Sequence, residues 1–258
     1  MKELFEDIRA ISLDAMGTLI DLKRPPQEIY YKILQHLGHD SEKTLPLIRE
    51  PGLFSRYWKE TEKKLPPAFL YEHIDRFAHY GETPYAFWRL FIGVMFEDLN
   101  LPVEEVEAAV RAAYHRFAVP DLWTVEPTLV ELVNFCSGRG IKIFVTSNWD
   151  FRLIQILEGL GVVSFFEEVI TSALVGFEKP SEKIFHYLVS VAECPPLQIL
   201  HVGDKIEDDV LGAKEAGLQA ALYRREKAPG IDFPFARVQS LREIPGLFPL
   251  GDWIMENK

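Results

Sequence analysis

One carboxylate near the N-terminus follows an apolar run and precedes a short loop. Residues 8–13 are rich in Ile, Ala and Leu, as expected of a strand buried in a parallel sheet, and Asp14 follows them directly. Gly17 and Thr18 then begin a predicted loop. Ligands of open α/β sheets bind beyond the carboxyl ends of strands, so Asp14 is expected at the mouth of a crevice. An aspartate that only caps a turn is the alternative, and this stretch alone does not decide between the two.

Two more polar groups occur beside predicted secondary-structure elements. Ser147 and Asn148 come just after the apolar run 141–145 and just before a predicted helix. A hydroxyl group and free N–H groups at a helix N-terminus can bind an anion, although a plain helix cap is the commoner explanation. Lys179 precedes Pro180 at the start of another predicted helix, where its ammonium group would be held in place. A solvated surface lysine is the alternative there.

A cluster of acidic residues follows the predicted strand 199–202. Four acids lie within six residues, at Asp204, Glu207, Asp208 and Asp209. They repel one another unless a cation is present, and Mg²⁺ prefers one or two carboxylates completed by water and substrate oxygens. An acidic helix start explains Asp208 and Asp209 but accounts less well for Asp204. The spacing therefore favours a metal site.

The elements that must position these groups fall into two patterns. Residues 22–117 show apolar residues at helical spacing, such as Ile29 and Ile33, and no stretch that predicts a strand. From residue 118 onward predicted helices and strands alternate, which calls for a parallel sheet covered on both faces. We therefore predict an α/β fold: a doubly wound, mostly parallel sheet with an inserted α-helical cap. The predicted core domain comprises residues 1–21 and 118–258, and the predicted cap domain comprises residues 22–117.

Composition narrows the partners. The chain has 258 residues, with 28 Lys and Arg against 39 Asp and Glu, and its net charge of −11 disfavours nucleic acid or an anionic membrane as a partner. We expect no signal peptide and no membrane span, since the N-terminus is charged and no apolar window approaches about 20 residues. Cys136 and Cys194 suit buried free thiols rather than a disulfide framework, which predicts a reducing cytoplasm.

An aromatic stretch in the predicted cap has two interpretations. Tyr85, Phe87, Trp88 and Phe91 lie on one predicted helix and could line a hydrophobic substrate pocket that faces Asp14. Such a cluster more often forms the core of its own domain, which is the favoured interpretation.

The four polar groups taken in order resemble a known superfamily. The order Asp14-x-x-Gly-Thr, Ser-Asn, Lys-Pro and Gly-Asp-x₄-Asp, each beside a predicted strand end, is similar to the haloacid dehalogenase-like (HAD) hydrolases. The resemblance covers nearly the whole chain and includes a helical cap between the first and second motifs. The local wording Asp-Ala-Met-Gly-Thr-Leu, Thr-Ser-Asn-Trp-Asp and His-Val-Gly-Asp is most similar to the branch named haloacid dehalogenase-like hydrolase domain-containing proteins.

The resemblance implies a phosphatase that acts on a small phosphorylated metabolite. Asp14 would attack phosphorus to form an aspartyl-phosphate. Thr18, Ser147 and the Asn148 amide would bind phosphoryl oxygens, and Lys179 would offset the charge of Asp14. The implied cofactor is Mg²⁺. Its predicted ligands are Asp14, the main-chain carbonyl of Met16, and Asp204, with Asp209 or Asp208 holding it through water.

One position departs from the pattern of the phosphatases that the chain resembles. They carry a second Asp two residues after the nucleophile as general acid and base, and here that residue is Met16. General acid–base help is worth about 10²–10⁴-fold, or roughly 3–5 kcal/mol of barrier, so poor leaving groups should be hydrolysed slowly. Asp21, a water molecule or a cap residue could supply the missing acid.

Because this Asp is missing, other classes of hydrolase remain alternatives for the function of the chain. The 2-haloacid dehalogenases have a similar first motif and need neither acid nor metal, but the acidic residues after residue 203 favour the metal-dependent branch. Phosphonatases use a cap lysine as a Schiff base. The candidates here are Lys32, Lys43, Lys59, Lys63 and Lys64. A catalytically weak protein that binds a phosphorylated ligand or a partner chain is the third alternative.

Overall fold

The strand that precedes Asp14 lies inside a six-stranded parallel sheet in the computed structural model, which describes residues 5–39, 41–225 and 235–249. The sheet order is β5-β4-β1-β6-β7-β8, and a separate pair of strands, β2 and β3, forms an antiparallel ribbon. The strands are β1 (Ala10–Leu13), β2 (Ile20–Leu22), β3 (Trp123–Val125), β4 (Lys142–Ser147), β5 (Glu168–Thr171), β6 (Ile199–Gly203), β7 (Gln219–Tyr223) and β8 (Ala236–Val238).

The register of the central strands brings the predicted motifs to one edge. Leu13, the last residue of β1, pairs with Val145 of β4 on one side and with Val202 of β6 on the other, and β4 and β6 end within two residues of these positions. The residues that follow these three strand positions therefore meet at the carboxyl edge of the sheet. These strands are buried along their length and rich in apolar residues, as a parallel sheet covered on both faces requires.

Helices cover the sheet and build the predicted cap region. The described α-helices are α1 (Pro26–His36), α2 (Ser41–Thr44), α3 (Pro46–Arg49), α4 (Leu53–Lys64), α5 (Pro67–Tyr71), α6 (Ala86–Asp98), α7 (Val106–Phe117), α8 (Leu129–Ser137), α9 (Arg152–Gly159), α10 (Ser172–Val175), α11 (Glu182–Ala192) and α12 (Gly212–Glu215). A π-helical segment, Ile206–Leu211, leads into α12. One apolar cluster joins a face of the sheet to the cap helices, and a second covers the opposite face beside α11. The predicted α/β fold with an inserted helical cap is confirmed.

The ribbon of β2 and β3 lies where the chain passes between the sheet and the helices α1–α7. Asp21 pairs with Thr124 in this ribbon. Neither strand was predicted, and β2 ends inside the range expected to be all-helical. Strand β8 was not predicted either. The division of the chain at residues 21/22 and 117/118 stays a prediction.

The other compositional expectations meet the structure only in part. Within the described ranges no helix has the length and apolar character needed to cross a membrane. Both cysteines are free thiols, with Cys136 buried and Cys194 half-buried. The cytoplasmic location stays a prediction.

Candidate active site

Asp14 lies beside Lys179 and Ser147 at the carboxyl edge of the sheet. One carboxylate oxygen, Oδ1, accepts hydrogen bonds from Lys179 Nζ at 2.6 Å and from Ser147 Oγ at 2.9 Å. The three residues come from the ends of β1 and β4 and from the segment before α11, and all three are buried. The residues predicted as nucleophile and as its cationic and hydroxyl partners therefore lie together.

Lys179 is the charge centre of this cluster. Its Nζ also donates to Asp209 Oδ1 at 2.5 Å and to the Thr146 carbonyl at 3.0 Å. Burial disfavours the charged ammonium, but the nearby Asp14 and Asp209 carboxylates outweigh this effect and raise the pKa of Lys179 above its ordinary value. Lys179 is therefore a permanent cation that can offset the charge of Asp14 and of an incoming anion.

The side chain of Asn148 holds the backbone of Lys179. Asn148 Nδ2 donates to the Lys179 carbonyl at 2.9 Å, and Asn148 Oδ1 accepts from the Lys179 N–H at 2.7 Å. The side-chain amide is thus already used, although the sequence predicts Asn148 as a phosphate ligand. Only its main-chain N–H is left for that role.

Three carboxylates gather at the site predicted for magnesium. One ligand oxygen from each of Asp14, Asp204 and Asp209 can be chosen so that all lie within 4.8 Å of one another. Burial, Asp14 and Asp209 together raise the pKa of Asp204 to about 7, although its side chain faces the exposed mouth of the site. This is the mutual repulsion that a bound divalent cation relieves. Oxygen donors of this kind suit Mg²⁺, so the residues present fit the implied cofactor.

The structure distinguishes the two candidates for the supporting acid. Asp209 is buried and belongs to the carboxylate cluster, whereas Asp208 forms an ion pair with Lys205 at 3.2 Å. Asp209 Oδ2 accepts from the Lys205 N–H at 2.9 Å, and Oδ1 lies 3.2 Å from His201 Nε2. Burial disfavours the Asp209 anion, but Lys179 and His201 outweigh it and lower its pKa. Both oxygens of Asp209 are engaged in this way, and its role in holding a cation through water stays a prediction.

Two glycines allow the carboxylates to approach the backbone. A Cβ on Gly17, where φ is +91°, would lie 2.6 Å from Asp204 Oδ2. A Cβ on Gly203 would lie 2.2 Å from Asp209 Cγ. Any larger residue at either position would displace a carboxylate of the cluster. Close packing of the acids therefore requires the glycines of the first and last motifs.

Thr18 does not lie where its predicted role would place it. Its side chain is fully buried, its hydroxyl has no hydrogen-bond partner among the described residues, and it is absent from the cavity wall. The buried hydroxyl is therefore not available to a ligand in the cavity, and the phosphate-binding role of Thr18 stays a prediction. The Met16 side chain, in contrast, lines the cavity and is 43% exposed. The role of its main-chain carbonyl stays a prediction.

A cavity of about 680 Å³ lies between this cluster and the helices α1–α7. Aromatic side chains supply much of its wall: Tyr30, Phe54, Trp58, Phe69, Phe77, Trp88, Phe117, Trp123 and Trp149. Of the four aromatic residues singled out in the sequence, Trp88 lines the cavity, while Tyr85, Phe87 and Phe91 do not. Phe87 and Phe91 are fully buried, so the interpretation as a domain core holds for them.

Two arginines in the cavity wall were missed in the sequence. Arg152 forms an ion pair with Asp150 at 2.7 Å, and its guanidinium lies 3.8 Å from the Tyr114 ring centroid. Arg76 contacts Glu62 at 2.7 Å and Glu178 at 2.9 Å. The sequence offers one hint of Arg76. Its partner Glu178 directly precedes Lys179 in the Gly-Phe-Glu-Lys-Pro stretch. Its partner is 102 residues away, and no spacing rule reveals such a pair.

The segment 73–79 is hydrogen-bonded to the segment 172–178 in an arrangement that we call the clasp. In its backbone pairs, the Asp75 N–H donates to the Gly176 carbonyl at 3.0 Å and the Glu178 N–H donates to the His73 carbonyl at 2.7 Å. The Ser172 hydroxyl donates to Asp75 Oδ1 at 2.6 Å, and Arg76 pairs with Glu178. Residues of the predicted cap are thus fixed to the chain that leads into Lys179.

The cap lysines and Asp21 offer little as substitutes for the missing acid or as a Schiff base. All five lysines named above are exposed, and none belongs to the described cavity wall. Asp21 does line the cavity, but its carboxylate forms an ion pair with Arg225.

Comparisons with known proteins agree with this architecture. A family model described as haloacid dehalogenase-like hydrolase matches residues 8–217. Haloacid dehalogenase-like hydrolase domain-containing protein 3 of Bos taurus is 27% identical over 250 residues, which cover 96% of this chain and 95% of the relative. Pyrimidine 5′-nucleotidase YjjG of Escherichia coli (strain K12) is 36% identical over 135 residues, covering 50% of this chain and 59% of the relative. The crystal structure of a HAD phosphatase from Thermococcus onnurineus has the same fold, with a TM-score of 0.60 at 21% identity over 93% of this chain and 97% of that one.

Proposed function

Because this chain belongs to the haloacid dehalogenase-like hydrolase family and is a hydrolase, we propose that it is a Mg²⁺-dependent phosphatase of small phosphate monoesters. The observation that carries the proposal is the contact of Asp14 with Lys179 and Ser147 beside a cluster of three carboxylates. The name of the Escherichia coli relative, a pyrimidine 5′-nucleotidase, supports a phosphate ester as substrate.

Asp14 is the proposed nucleophile. Its carboxylate oxygen attacks phosphorus, the bond from phosphorus to the ester oxygen breaks, and the electron pair leaves with that oxygen. The Ser147 hydroxyl and the Lys179 ammonium, which both contact Asp14, hold phosphoryl oxygens together with the Asn148 main-chain N–H. Positioning and electrostatic stabilisation supply most of the catalysis in phosphoryl transfer.

Asp14, Asp204 and the Met16 carbonyl would hold Mg²⁺, with Asp209 acting through water. When bound, the ion would offset the repulsion between the Asp14 carboxylate and a phosphate dianion. Asp209 is kept anionic by Lys179 and His201, so it can serve this purpose throughout the physiological pH range.

Water completes the reaction in a second step. It attacks phosphorus of the aspartyl-phosphate, the bond between phosphorus and the Asp14 oxygen breaks, and inorganic phosphate is released. Met16 can neither protonate the departing ester oxygen nor accept a proton from the attacking water, because a thioether neither donates nor accepts a proton in water. Solvent would give the departing ester oxygen its proton. Solvent must therefore accept the proton of the attacking water.

The carboxylate cluster also bears on the alternatives. A 2-haloacid dehalogenase would have no use for three carboxylates placed around one point, so phosphoryl transfer is favoured. A phosphonatase would need a cap lysine in the cavity, whereas the five cap lysines are exposed and do not belong to the described cavity wall. A small phosphorylated metabolite as partner, and the absence of a nucleic-acid partner, belong to the same proposal.

Phosphate release from an activated aryl phosphate, such as 4-nitrophenyl phosphate, tests the proposal. The assay is run with Mg²⁺, with a chelator, and with the Asp14→Asn variant. We expect turnover that requires Mg²⁺ and is lost in the variant. No phosphate release in any condition, or release that Asp14→Asn leaves unchanged, would reject it, and halide release from a 2-haloacid would then identify the alternative.

A further inference from the structure

We propose that the substrate is an aryl phosphate, the monophosphate ester of a phenolic hydroxyl carried by an aromatic group. This proposal rests on the proposed phosphatase function and adds the class of the leaving group to it. Two independent features lead to it. The first is that position 16 and the ion-paired acids of the described cavity wall offer no proton to a leaving group, and the second is the aromatic composition of that wall.

Among the described residues near Asp14, the position of the usual acid holds no proton donor and several other acids are paired with cations. Position 16, two residues after Asp14, is a methionine that faces the cavity. The Asp21 carboxylate forms an ion pair with Arg225, and Asp208 forms one with Lys205.

The carboxylates on the cap side of the cavity are equally engaged. Asp150 is held by Arg152, and Glu62 and Glu178 share Arg76. In each pair the guanidinium donates hydrogen bonds to the carboxylate, which therefore serves as an acceptor at the cavity wall. Asp204 also lines the wall, where it would hold Mg²⁺ as a carboxylate and so would have no proton to donate. His73 lines the wall as well, and the experiment below tests it directly.

A phenolic leaving group removes the need for such a donor. The phenol of tyrosine has a pKa of about 10, whereas the O–H of bulk water, which is closer to an alcohol, has one of about 15.7. When Asp14 attacks phosphorus, the electron pair of the breaking P–O bond goes to the phenolate oxygen, which later takes a proton from water. No protein acid enters this step, so the missing donor does not slow the cleavage of an aryl phosphate.

The cavity wall suits the same class of molecule. Trp58 and Trp88 contact each other with their ring centroids 6.3 Å apart, and Trp88 stacks on Phe77 at 5.7 Å. Trp58, Trp88 and Trp149 are only half-buried, so an aromatic ligand would cover ring surface that now faces the cavity. The volume of about 680 Å³ is in the range of sites for molecules of drug size, of about 300–1,000 Å³. A short aliphatic phosphate would leave most of this apolar surface uncovered.

The first experiment compares phenyl phosphate with benzyl phosphate in the presence of Mg²⁺. Both carry one ring, but the leaving group is a phenol in the first and an alcohol in the second. We expect kcat/KM for phenyl phosphate to be higher by about 100-fold or more, the size of the general acid effect that is missing. A pyrimidine nucleoside 5′-monophosphate, which has a ring and an alkyl ester, should behave like benzyl phosphate.

Two variants test the cause of this difference. Met16→Asp should restore a donor and narrow the gap between the two esters at least 10-fold, mainly by raising the rate on benzyl phosphate. His73→Gln should leave the gap as it is. Equal rates on the two esters, no narrowing in Met16→Asp, or a wider gap in His73→Gln would each overturn the proposal while leaving the phosphatase function standing. Failure to hydrolyse every activated phosphate would overturn both.

A third variant tests the aromatic wall. Trp88→Ala should raise KM for phenyl phosphate about 10-fold more than KM for acetyl phosphate, which has a good leaving group and no ring. Trp88→Phe, which keeps an aromatic surface, should restore most of the selectivity. An equal change in KM for the two substrates would show that the wall does not recognise the ring and would overturn the proposal.

Discussion

Asn148 makes two hydrogen bonds to the backbone of Lys179, one through each end of its side-chain amide. The pair resembles the hydrogen bonding between neighbouring strands, yet it joins a loop at the end of β4 to the start of α11. These hydrogen bonds hold the backbone of Lys179, from which its side chain reaches Asp14 with the ammonium at 2.6 Å. Asn148 is therefore a positioning residue for Lys179.

Asn148→Ala should lower kcat for an activated aryl phosphate by about 10–100-fold, because a misplacement near 1 Å can cost about 10²-fold. KM should change little. The measurement is a comparison of steady-state rates in Asn148→Ala, Lys179→Met and the double variant. If Asn148 acts through Lys179, the double variant is no slower than Lys179→Met. Losses in kcat that add in the double variant would contradict the prediction. Asn134→Ala, at an exposed position of α8, is the matched control and should leave the rate unchanged.

Mg²⁺ should raise the melting temperature of the protein. A ligand that binds only the folded state stabilises it by about 2.7 kcal/mol at 100 times its Kd. Because Asp204 has a pKa of about 7 without the ion, its proton competes with Mg²⁺, and the shift should be larger at pH 8 than at pH 6. Asp204→Asn should abolish most of the shift. Glu207→Gln removes a neighbouring acid outside the carboxylate cluster and should retain it; an equal loss in both variants would contradict the assignment.

Gly17→Ala and Gly38→Ala form a matched pair. Both glycines have positive φ, +91° and +85°, so each alanine should cost about 1–2 kcal/mol of unfolding free energy in backbone strain. A Cβ on Gly38 meets nothing within 4 Å, whereas one on Gly17 lies against Asp204. Urea unfolding should show similar losses in both variants, while only Gly17→Ala should lose the Mg²⁺-dependent melting shift and the phosphatase activity. Retention of both by Gly17→Ala would be the contrary result.

Asp75→Asn should stabilise the protein at neutral and alkaline pH. Asp75 is fully buried, and burial raises its pKa despite the hydrogen bonds from Ser172 and Ala78. A carboxyl whose pKa is higher in the folded state than in the unfolded state binds its proton more tightly when folded. Its contribution to the unfolding free energy is therefore present at low pH and lost as the pH rises through the folded-state pKa.

The asparagine removes this pH-dependent cost and can keep the hydrogen bonds. Its oxygen can accept from the Ala78 N–H, and its amide can donate to the Ser172 hydroxyl, which has the Trp149 carbonyl as an acceptor at 3.3 Å. Melting temperatures from pH 4 to pH 8 should show a gain for Asp75→Asn that shrinks towards pH 4. Glu158→Gln, an exposed acid, should show no such trend. A loss of stability at pH 8 would contradict the prediction.

The sequence predicted the sheet and the polar residues at its edge because both depend on local signals. An apolar run followed by Asp14 or by Asp204 marks a strand end, and parallel strands bring such ends together. The choice between Asp208 and Asp209 could not be made in the same way, since it depends on which side chain the π-helical segment turns inward. The hydrogen bonds of the Asn148 side chain to Lys179 could not be predicted either, because they depend on the path of a loop 31 residues away.

Elements held by distant contacts were missed. The strands β2 and β3 have three residues each, too few for a periodic pattern, and they exist because they pair with each other across about 100 residues. Arg76 and Glu178 were unremarkable charged residues until the fold placed them in contact. The departure at Met16, in contrast, was visible in the sequence, because it concerns a residue type at a fixed spacing from Asp14.

The clasp has a consequence for attempts to excise the helical insert. Cutting the chain at the predicted boundaries would remove Arg76, whose guanidinium contacts the Glu178 carboxylate at 2.9 Å, and His73, whose carbonyl accepts from the Glu178 N–H. These contacts lie one residue before Lys179, so their loss would free the backbone that places the Lys179 ammonium. A shortened protein built from the sheet alone would therefore need new contacts that hold the backbone at position 178. The insert therefore supplies a counter-ion, Arg76, to the segment that leads into Lys179, in addition to covering the edge of the sheet.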